Sequence, residues 1–507
     1  MSASRASIYE ILELHKEVTD DQGEVTDIKK VSLVGKVVGF NYFESVYSHD
    51  VTANITFLDA GGSVQADSEQ DKQERNTSIK SGLPIVGGEK LFFSIKGNLG
   101  TFNMGTIPLW FLNRMKKGLT GDLSGGLIDS AFNYAAGAND EFISGTTTER
   151  SMRDGFFRLQ NLSTDGLVVN GSPIVAIEPN RQLVFLPLIS NPAIKNAQSI
   201  KETKTYKGKI STNVEKMLKE VGIKKYAIHQ TSNSYAFSTK SRGTLDLITE
   251  LCRRSVPEKG DAGYFFYETK SGFHFKSISK LIRARSIATY TYTGVMQANE
   301  DDENNFRILR NPIVIRDVDF KKQKKWESIK FRSYDPLTGI YDEFIYNDDV
   351  EDNLGKKSKG YKNRSEFRPR NRSRNRFTRK DRFNKNKHGM EILSIKDIGE
   401  FDSGNLDPNN DPRGWQAQSI KRYNSLHSQI LEIQVPCNLS LEAGRNIKIE
   451  FETQADDKNL GGIDEHKSGK YMILHLCHHF DTSRSFTSMT IARDSDGLYT
   501  GTNAEES

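Results

Sequence analysis

Apolar and polar residues alternate with a period of two through long stretches of this 507-residue chain, and one arrangement occurs twice, about 360 residues apart. Gly87-Gly88-Glu89 opens the run KLFFSIKG, with Leu91, Phe93 and Ile95 on one face. Ala443-Gly444-Arg445 opens NIKIEFET, with Ile447, Ile449 and Phe451 on one face. Both runs predict strands buried on one side. A strand pair follows each, FFRLQNLS with RQLVFLPLIS and KYMILHLCHHF with FTSMTIARDS. Gly88 and Gly444 are expected to make the tight turns before these strands, where φ is positive or a side chain would clash.

The same period predicts strands in LVGKVVGFNYF and VTANITFLD, the second alternating through Val51, Ala53, Ile55 and Phe57, with ESVYSHD as the hairpin connection. The period changes in two places. Residues 7–17 place Ser7 three positions before Glu10 and carry Ile8, Ile11 and Leu12 on one helical face, which predicts a short N-terminal docking helix. Between residues 205 and 285, Val214, Met217, Leu218 and Val221 predict a helix capped by Ser211 or Thr212. A second helix runs from about Thr244 to Ser255 with Leu245, Ile248, Leu251 and Cys252, and GYFFYETKSGFHFKSI reads as a hairpin turning at Thr269 to Gly272. SYAFST is a further strand. NPIVIRDVDF, WESIKFRSYD and IYDEFIYN read as strands of the second module, with a turn at Asp335-Pro336-Leu337-Thr338-Gly339.

The resulting fold class is mainly β with α+β: two antiparallel β-barrel domains flanking a small α+β domain, plus insertions. The expected layout is an N-terminal helix or arm at 1–28, a first barrel at 29–195 and an α+β domain at 196–285. A second barrel is divided between 286–349 and 415–500, and a tail occupies 501–507. Three insertions interrupt it. Residues 61–82 are polar and predict a solvated loop; residues 101–150 carry Trp110, Phe111 and Met115 in a Gly- and Ala-rich tract suited to a small helical insertion; residues 350–414 are basic, flexible and loop-like until Trp415.

Charge sharpens this picture. The net charge of +5 conceals fifteen Lys and Arg against Glu366 and Asp381 between Lys356 and Lys387, which leaves +13 there and −8 on the rest. Arg364, Arg368, Arg370, Arg372, Arg374, Arg376, Arg379 and Arg382, with Phe367, Phe377 and Phe383 among them, are the candidate partner-binding residues. Such a tract suits nucleic acid, where guanidinium meets phosphate and aromatics stack on bases, or it suits an arm that grips acidic protein surfaces. Cys252, Cys437 and Cys477 match no disulfide framework or metal knuckle and are expected to be buried apolar side chains. No apolar run has the length of a signal peptide or a membrane span, which predicts a soluble protein made in the cytosol.

Catalytic and metal chemistry find little support. His475, Cys477 and His479 share one face of a strand, with His478 opposite, but no fourth ligand for zinc stands out. Asp494-Ser495-Asp496-Gly497 opens like a calcium loop, yet Tyr499 stands where glycine is required. GLTGDLSGG lacks the Gly-Lys-Ser/Thr ending of a phosphate-binding loop, and no carboxylate pair has a diagnostic spacing. No enzyme activity, cofactor or metal is therefore expected.

The order FNYFES, VTANITFLDAG, LPIVGGEKL, TYKGKIS, GTLDLITELCRRSVP, GYFFYETKSGFHFKSI and SGKYMILHLCHHFDTSRSFTSMTIARDSDG, spread over roughly residues 30–500, resembles the baseplate central hub proteins of T-even-like contractile bacteriophages. It is more distantly similar to the hub part of type VI secretion spike proteins. The resemblance implies a structural homotrimer in which two tube-like barrels per chain make a pseudo-sixfold ring. That ring joins a hexameric tail tube to a trimeric spike or needle protein and leaves a channel for DNA, which passes without specific binding. It also implies residence in the virion after assembly in the host cytoplasm, with the tape-measure and wedge proteins as further partners. An acidic channel wall would repel the duplex, in keeping with the negative body. The alternative is a nucleic-acid-binding protein acting through 356–387.

Overall fold

The computed structural model describes residues 7–19, 25–60, 64–66, 75–79, 83–97, 158–161, 166–178, 181–199, 203–239, 242–292, 307–317, 328–334, 339, 341–347, 390–395, 412–452, 464 and 467–494. Its first part is all strand: β1 (Ile8–Thr19), β2 (Val25–Ser32), β3 (Val37–Ser45), β4 (Thr52–Asp59), β5 (Val64–Ala66), β6 (Arg75–Thr77), β7 (Lys90–Lys96), β8 (Arg158–Asn161), β9 (Leu167–Val169), β10 (Ile174–Glu178) and β11 (Arg181–Ser190). The middle part holds α1 (Asn191–Gln198), β12 (Thr205–Tyr206), α2 (Ile210–Glu220), β13 (Tyr226–Ile228), β14 (Phe237–Ser238), α3 (Thr244–Cys252), β15 (Tyr264–Thr269), β16 (Gly272–Ser277) and α4 (Ile278–Arg283). The last part holds β17 (Ser286–Tyr292), β18 (Ile313–Asp317), β19 (Ser328–Tyr334), β20 (Tyr341–Asn347), β21 (Met390–Ile395), α5 (Pro412–Leu426), β22 (Gln429–Pro436), β23 (Asn446–Phe451), β24 (Gly469–Asp481) and β25 (Ser485–Arg493).

Alternation decides the cores. In β4 the buried residues are Ala53, Ile55, Phe57 and Asp59, and in β7 they include Leu91, Phe93 and Ile95. With Leu12, Leu14, Phe40, Tyr42, Leu186 and Leu188 these side chains fill one apolar core, and β2, β1, β7, β9, β11, β4 and β3 pair in that order around it. Ile447, Ile449 and Phe451 fill the second core with Leu431, Ile433, Tyr471, Ile473, Met489 and Ile491. The two cores belong to one sheet. β3 pairs antiparallel with β24 from Phe43 opposite Cys477 to Phe40 opposite Phe480, so a fifteen-stranded sheet runs through both modules. The fold is mainly β, and the α+β unit has its own core of Ile210, Val214, Met217, Leu245, Ile248, Phe273 and Phe275.

Several local expectations change. Residues 8–17 form strand, not helix: β1 pairs with both β2 and β7, and Leu12 and Leu14 are buried two positions apart. The register shift between Tyr9 and Ile11 breaks the parity that made Ile8, Ile11 and Leu12 look helical. Ser7 caps nothing; its backbone N–H donates to Ser485 Oγ at 2.9 Å. FFRLQNLS does not pair with RQLVFLPLIS: β8 pairs with β7, while β11 pairs with β4, β9 and β10. WESIKFRSYD and IYDEFIYN leave the main sheet, because β19 and β20 form a separate sheet with β21.

Residues 350–414 are not loop throughout, since β21 lies within them and α5 begins at Pro412, ahead of Trp415. The polar stretch after Gly61 contains the ribbon of β5 and β6. α2 starts at Ile210 with Lys209 as its N-cap residue, so Ser211 and Thr212 lie inside the helix. The hairpin turning from Thr269 to Gly272 is present as β15 and β16. SYAFST narrows to the two-residue strand β14. The helical insertion expected at 101–150 lies outside the described residues, as does the tail at 501–507.

Candidate functional site

The join between the modules carries a connected set of polar side chains. On β3, Phe40 and Tyr42 point into the first core, so Asn41 and Phe43 point to the opposite, open face. On β24, Leu476, His478 and Phe480 point inward, which puts His475, Cys477 and His479 on the open face. Three 2.8 Å hydrogen bonds cross that face: Ser488 Oγ to His479 Nε2, His479 Nδ1 to Asn41 Oδ1, and Asn41 Nδ2 to Asn54 Oδ1. The amide oxygen of Asn41 can only accept, so His479 carries its proton on Nδ1 and receives the Ser488 hydroxyl on Nε2. Burial lowers the His479 pKa. The resulting ladder spans β25, β24, β3 and β4 and is uncharged.

Behind the ladder lies Glu44, buried at the end of β3. Its carboxylate accepts one backbone N–H from each of the other two parts of the molecule: Lys270 N in the turn between β15 and β16 at 2.8 Å, and Ala443 N before β23 at 2.9 Å. Lys270 Nζ donates to Leu439 O and lies 3.9 Å from Glu442 Oε1, while Ser271 Oγ also donates to Glu442. Burial, then the charge of Glu442, pushes the Glu44 pKa up. Burial alone would raise Glu442 too, but Lys270, Arg445 and the Ser271 hydroxyl outweigh it and hold that carboxyl below its ordinary value. Glu442 is therefore the charged partner of Lys270, and Glu44 is the group that fixes three chain segments at one point.

A second tie joins the α+β unit to the first module. His49 Nδ1 faces Asp50 Oδ1 at 2.5 Å and Nε2 faces Asp246 Oδ1, on α3, at 2.9 Å. Two acceptors on two ring nitrogens require the imidazolium. Burial would lower its pKa, but these carboxylates raise it to about 9. Val51 N donates to Glu268 Oε2 at 3.0 Å, and burial pushes Glu268 up to about 7. One end of the open face is roofed by Phe265, Tyr267, Ile278, Leu281 and Leu426 packing on Met472, Leu474 and Ala492.

The residues singled out from sequence separate accordingly. Gly88 has φ 91° and Gly444 φ 79°, and a side chain at 444 would overlap the Tyr267 hydroxyl. His475, Cys477 and His479 do share a face, but both nitrogens of His479 are engaged in the ladder. Among the described residues no group of three or more His, Cys, Asp and Glu side chains could hold a metal. His478 faces the core, where its Nδ1 meets Thr487 Oγ1 at 2.9 Å and burial takes its pKa down to about 3. Cys252, Cys437 and Cys477 are buried and free. Arg364, Arg368, Arg370, Arg372, Arg374, Arg376, Arg379 and Arg382 lie outside the described residues. No helix among the described residues is long and apolar enough to cross a membrane.

Sequence reasoning missed Glu44, Lys270, Glu442 and His49. Apart from Asp50 beside His49 and Arg445 near Glu442, their partners are 169 to 399 positions away in the chain, so no local spacing marks them, and only the alternation that turns Glu44 inward hints at its role.

No protein-family model matches the chain, and neither does any curated protein. Among solved structures it is similar to the tail protein from Neisseria meningitidis MC58, at 9% identity and a TM-score of 0.46, covering 97% of this chain and 98% of that one. It is also similar to the 43 kDa tail protein of prophage MuSo2 from Shewanella oneidensis, at 8% identity and a TM-score of 0.42, covering 96% and 100%. A third is the E. coli c3393 protein, described as a type VI secretion component similar to the T4 tail proteins gp27 and gp5, at 8% identity and a TM-score of 0.36, covering 92% and 75%.

Proposed function

We propose that this protein is the structural hub of a contractile phage tail baseplate, a homotrimer that joins a tail tube to a trimeric spike and leaves a channel for DNA. The observation that carries this reading is the order β18-β22-β25-β24-β3-β4-β11-β10, an eight-strand layer shared by the two modules and joined in its middle by β3 and β24. Both ends of the layer are open among the described residues. At one end Ile313, Val314 and Ile315 are 47%, 48% and 54% exposed, and at the other Ile174 is 65% exposed. Bare strand edges carrying apolar side chains are templates for further pairing. Unlike ends on one layer give a head-to-tail contact, which closes when the rotation per copy divides the circle. Three copies of eight strands then make a ring of twenty-four, with two similar modules per copy and thus six comparable positions facing a tube.

In this ring the open face would line the channel, where uncharged side chains stand beside carboxylates. Asn41, Asn54, Thr56, Ser488 and Thr490 are uncharged, and the carboxylates that β22, β24 and β25 contribute to the face are Glu432 and Asp481. A wall with few fixed cations does not hold a polyanion. The α+β unit, tied in by Glu44 and His49, sits over one end of the face and gives the two ends of the ring different surfaces, one for the tube and one for the spike. Mass measurement tests the proposal. The purified chain, alone or with a spike partner, is expected at about 172 kDa, three times its 57.2 kDa. A chain that stays at 57.2 kDa in both conditions overturns it.

A further inference from the structure

Where the roof of the α+β unit ends and the open face begins, three rings and a guanidinium gather. Tyr47 follows β3; its ring lies 5.3 Å from the His475 ring, 6.0 Å from the His427 ring and 5.3 Å, edge-on, from Phe265 under the roof. Tyr47 is 42% exposed, and its hydroxyl pairs with His427 Nε2. His475 is exposed and makes no hydrogen bond among the described residues. Arg316 of β18 sits opposite Ile430, at the start of β22 and three residues from His427. Ile430 shares its face with Glu432, which puts Arg316 on the open face as well.

The cluster consists of donors that lack an acceptor. Arg316 is half-buried and has no ion pair or hydrogen bond among the described residues. Asp317, next to it, points to the other face and accepts from Gln429 Nε2 at 3.4 Å. Of the two carboxylates on the face, Asp481 lies six residues along β24 from His475, and Glu432 lies one strand from Arg316 and two strand spacings, roughly 10 Å, from His475. His427 is lowered by burial and then by Arg316 and His475, and His475 is lowered by burial. Burial favours the neutral form of both imidazoles, so Arg316 is the fixed cation of the cluster, and Glu432 on the paired strand makes no ion pair with it.

We propose that Tyr47, His427, His475 and Arg316 form a binding site for a phosphoryl group. A phosphoryl group brings several acceptor oxygens to a guanidinium fork, two imidazole N–H groups and the edge of a phenol, a donor set wider than one carboxylate satisfies. The site needs only one chain, so it goes beyond the hub reading and stands without it. In the proposed ring three such sites would lie on an otherwise mostly uncharged wall, too few to hold a long polyanion in passage.

Histidine-resolved NMR titration of the full-length protein with inorganic phosphate tests this. Saturating phosphate is expected to raise the titration midpoints of His427 and His475 by about one unit. The buried His478 should not respond, and Arg316→Gln should abolish the shift while leaving the fold intact, since Arg316 lies on an edge strand. His475→Gln should weaken phosphate binding at pH 6 and leave the His427 response in place. No phosphate-dependent shift overturns the site, as does an equal response to acetate, which would make it a carboxylate site. A protein that responds but stays monomeric loses the hub and keeps the site; a trimer that does not respond does the reverse.

Discussion

Gly88 and Gly444 both sit at positive φ, yet they are constrained to different degrees. An alanine methyl at 88 would meet nothing within 4 Å, whereas at 444 it would run into the phenol of Tyr267, which is fully buried. Gly88→Ala is therefore expected to cost about 1 kcal/mol, the strain of a side chain in left-handed backbone. Gly444→Ala adds displacement of a packed ring and is expected to cost about 3 kcal/mol or more. Urea unfolding of the two variants distinguishes them, and equal losses would mean that Tyr267 yields without cost. The need for glycine was legible from its place before an alternating strand. Tyr267, 177 positions away, was not, because a close approach across the chain leaves no mark on local sequence.

At the level of elements, a period of two was read correctly where one face meets a core without a break, as in β4, β7 and β23. It misled where parity breaks. In β1 the bulge near Tyr9 leaves Ile8 and Ile11 exposed while Leu12 and Leu14 are buried, so a strand presents the apolar spacing of a helix. The distinction has an energetic consequence. A peripheral docking helix would tolerate loss of one leucine, but Leu12 is fully buried in the first core. Leu12→Ala is expected to destabilise the protein by about 2 to 5 kcal/mol, read from the denaturation midpoint. A loss under about 1 kcal/mol would restore the peripheral arm. α5 escaped notice for another reason: Pro412, Gly414 and several polar residues dilute its pattern, and its burial comes from the sheets it packs on.

For the whole molecule, the repeated alternation foretold two modules, but not that one sheet runs through both, since strand pairing across hundreds of residues is invisible to periodicity. Its two open ends carry the strongest prediction about assembly. A lysine for Ile315 or for Ile174 places a charge on an edge strand while leaving both cores untouched, and each change is expected to lower the population of the proposed trimer at least tenfold in mass measurements. Unchanged association of both variants would move the contact between copies elsewhere. The pairing of β3 with β24 also bears on how the protein is made. β3 leaves the ribosome more than 400 residues before β24, and Ser7 and Tyr9 wait for partners at Ser485 and Phe480. Through most of synthesis the N-terminal half thus holds an unzipped margin of sheet, a state open to mispairing that resolves only when the last strands emerge. Emergence of β24 and β25 is the event that covers this margin, and chains terminated before them would keep it bare.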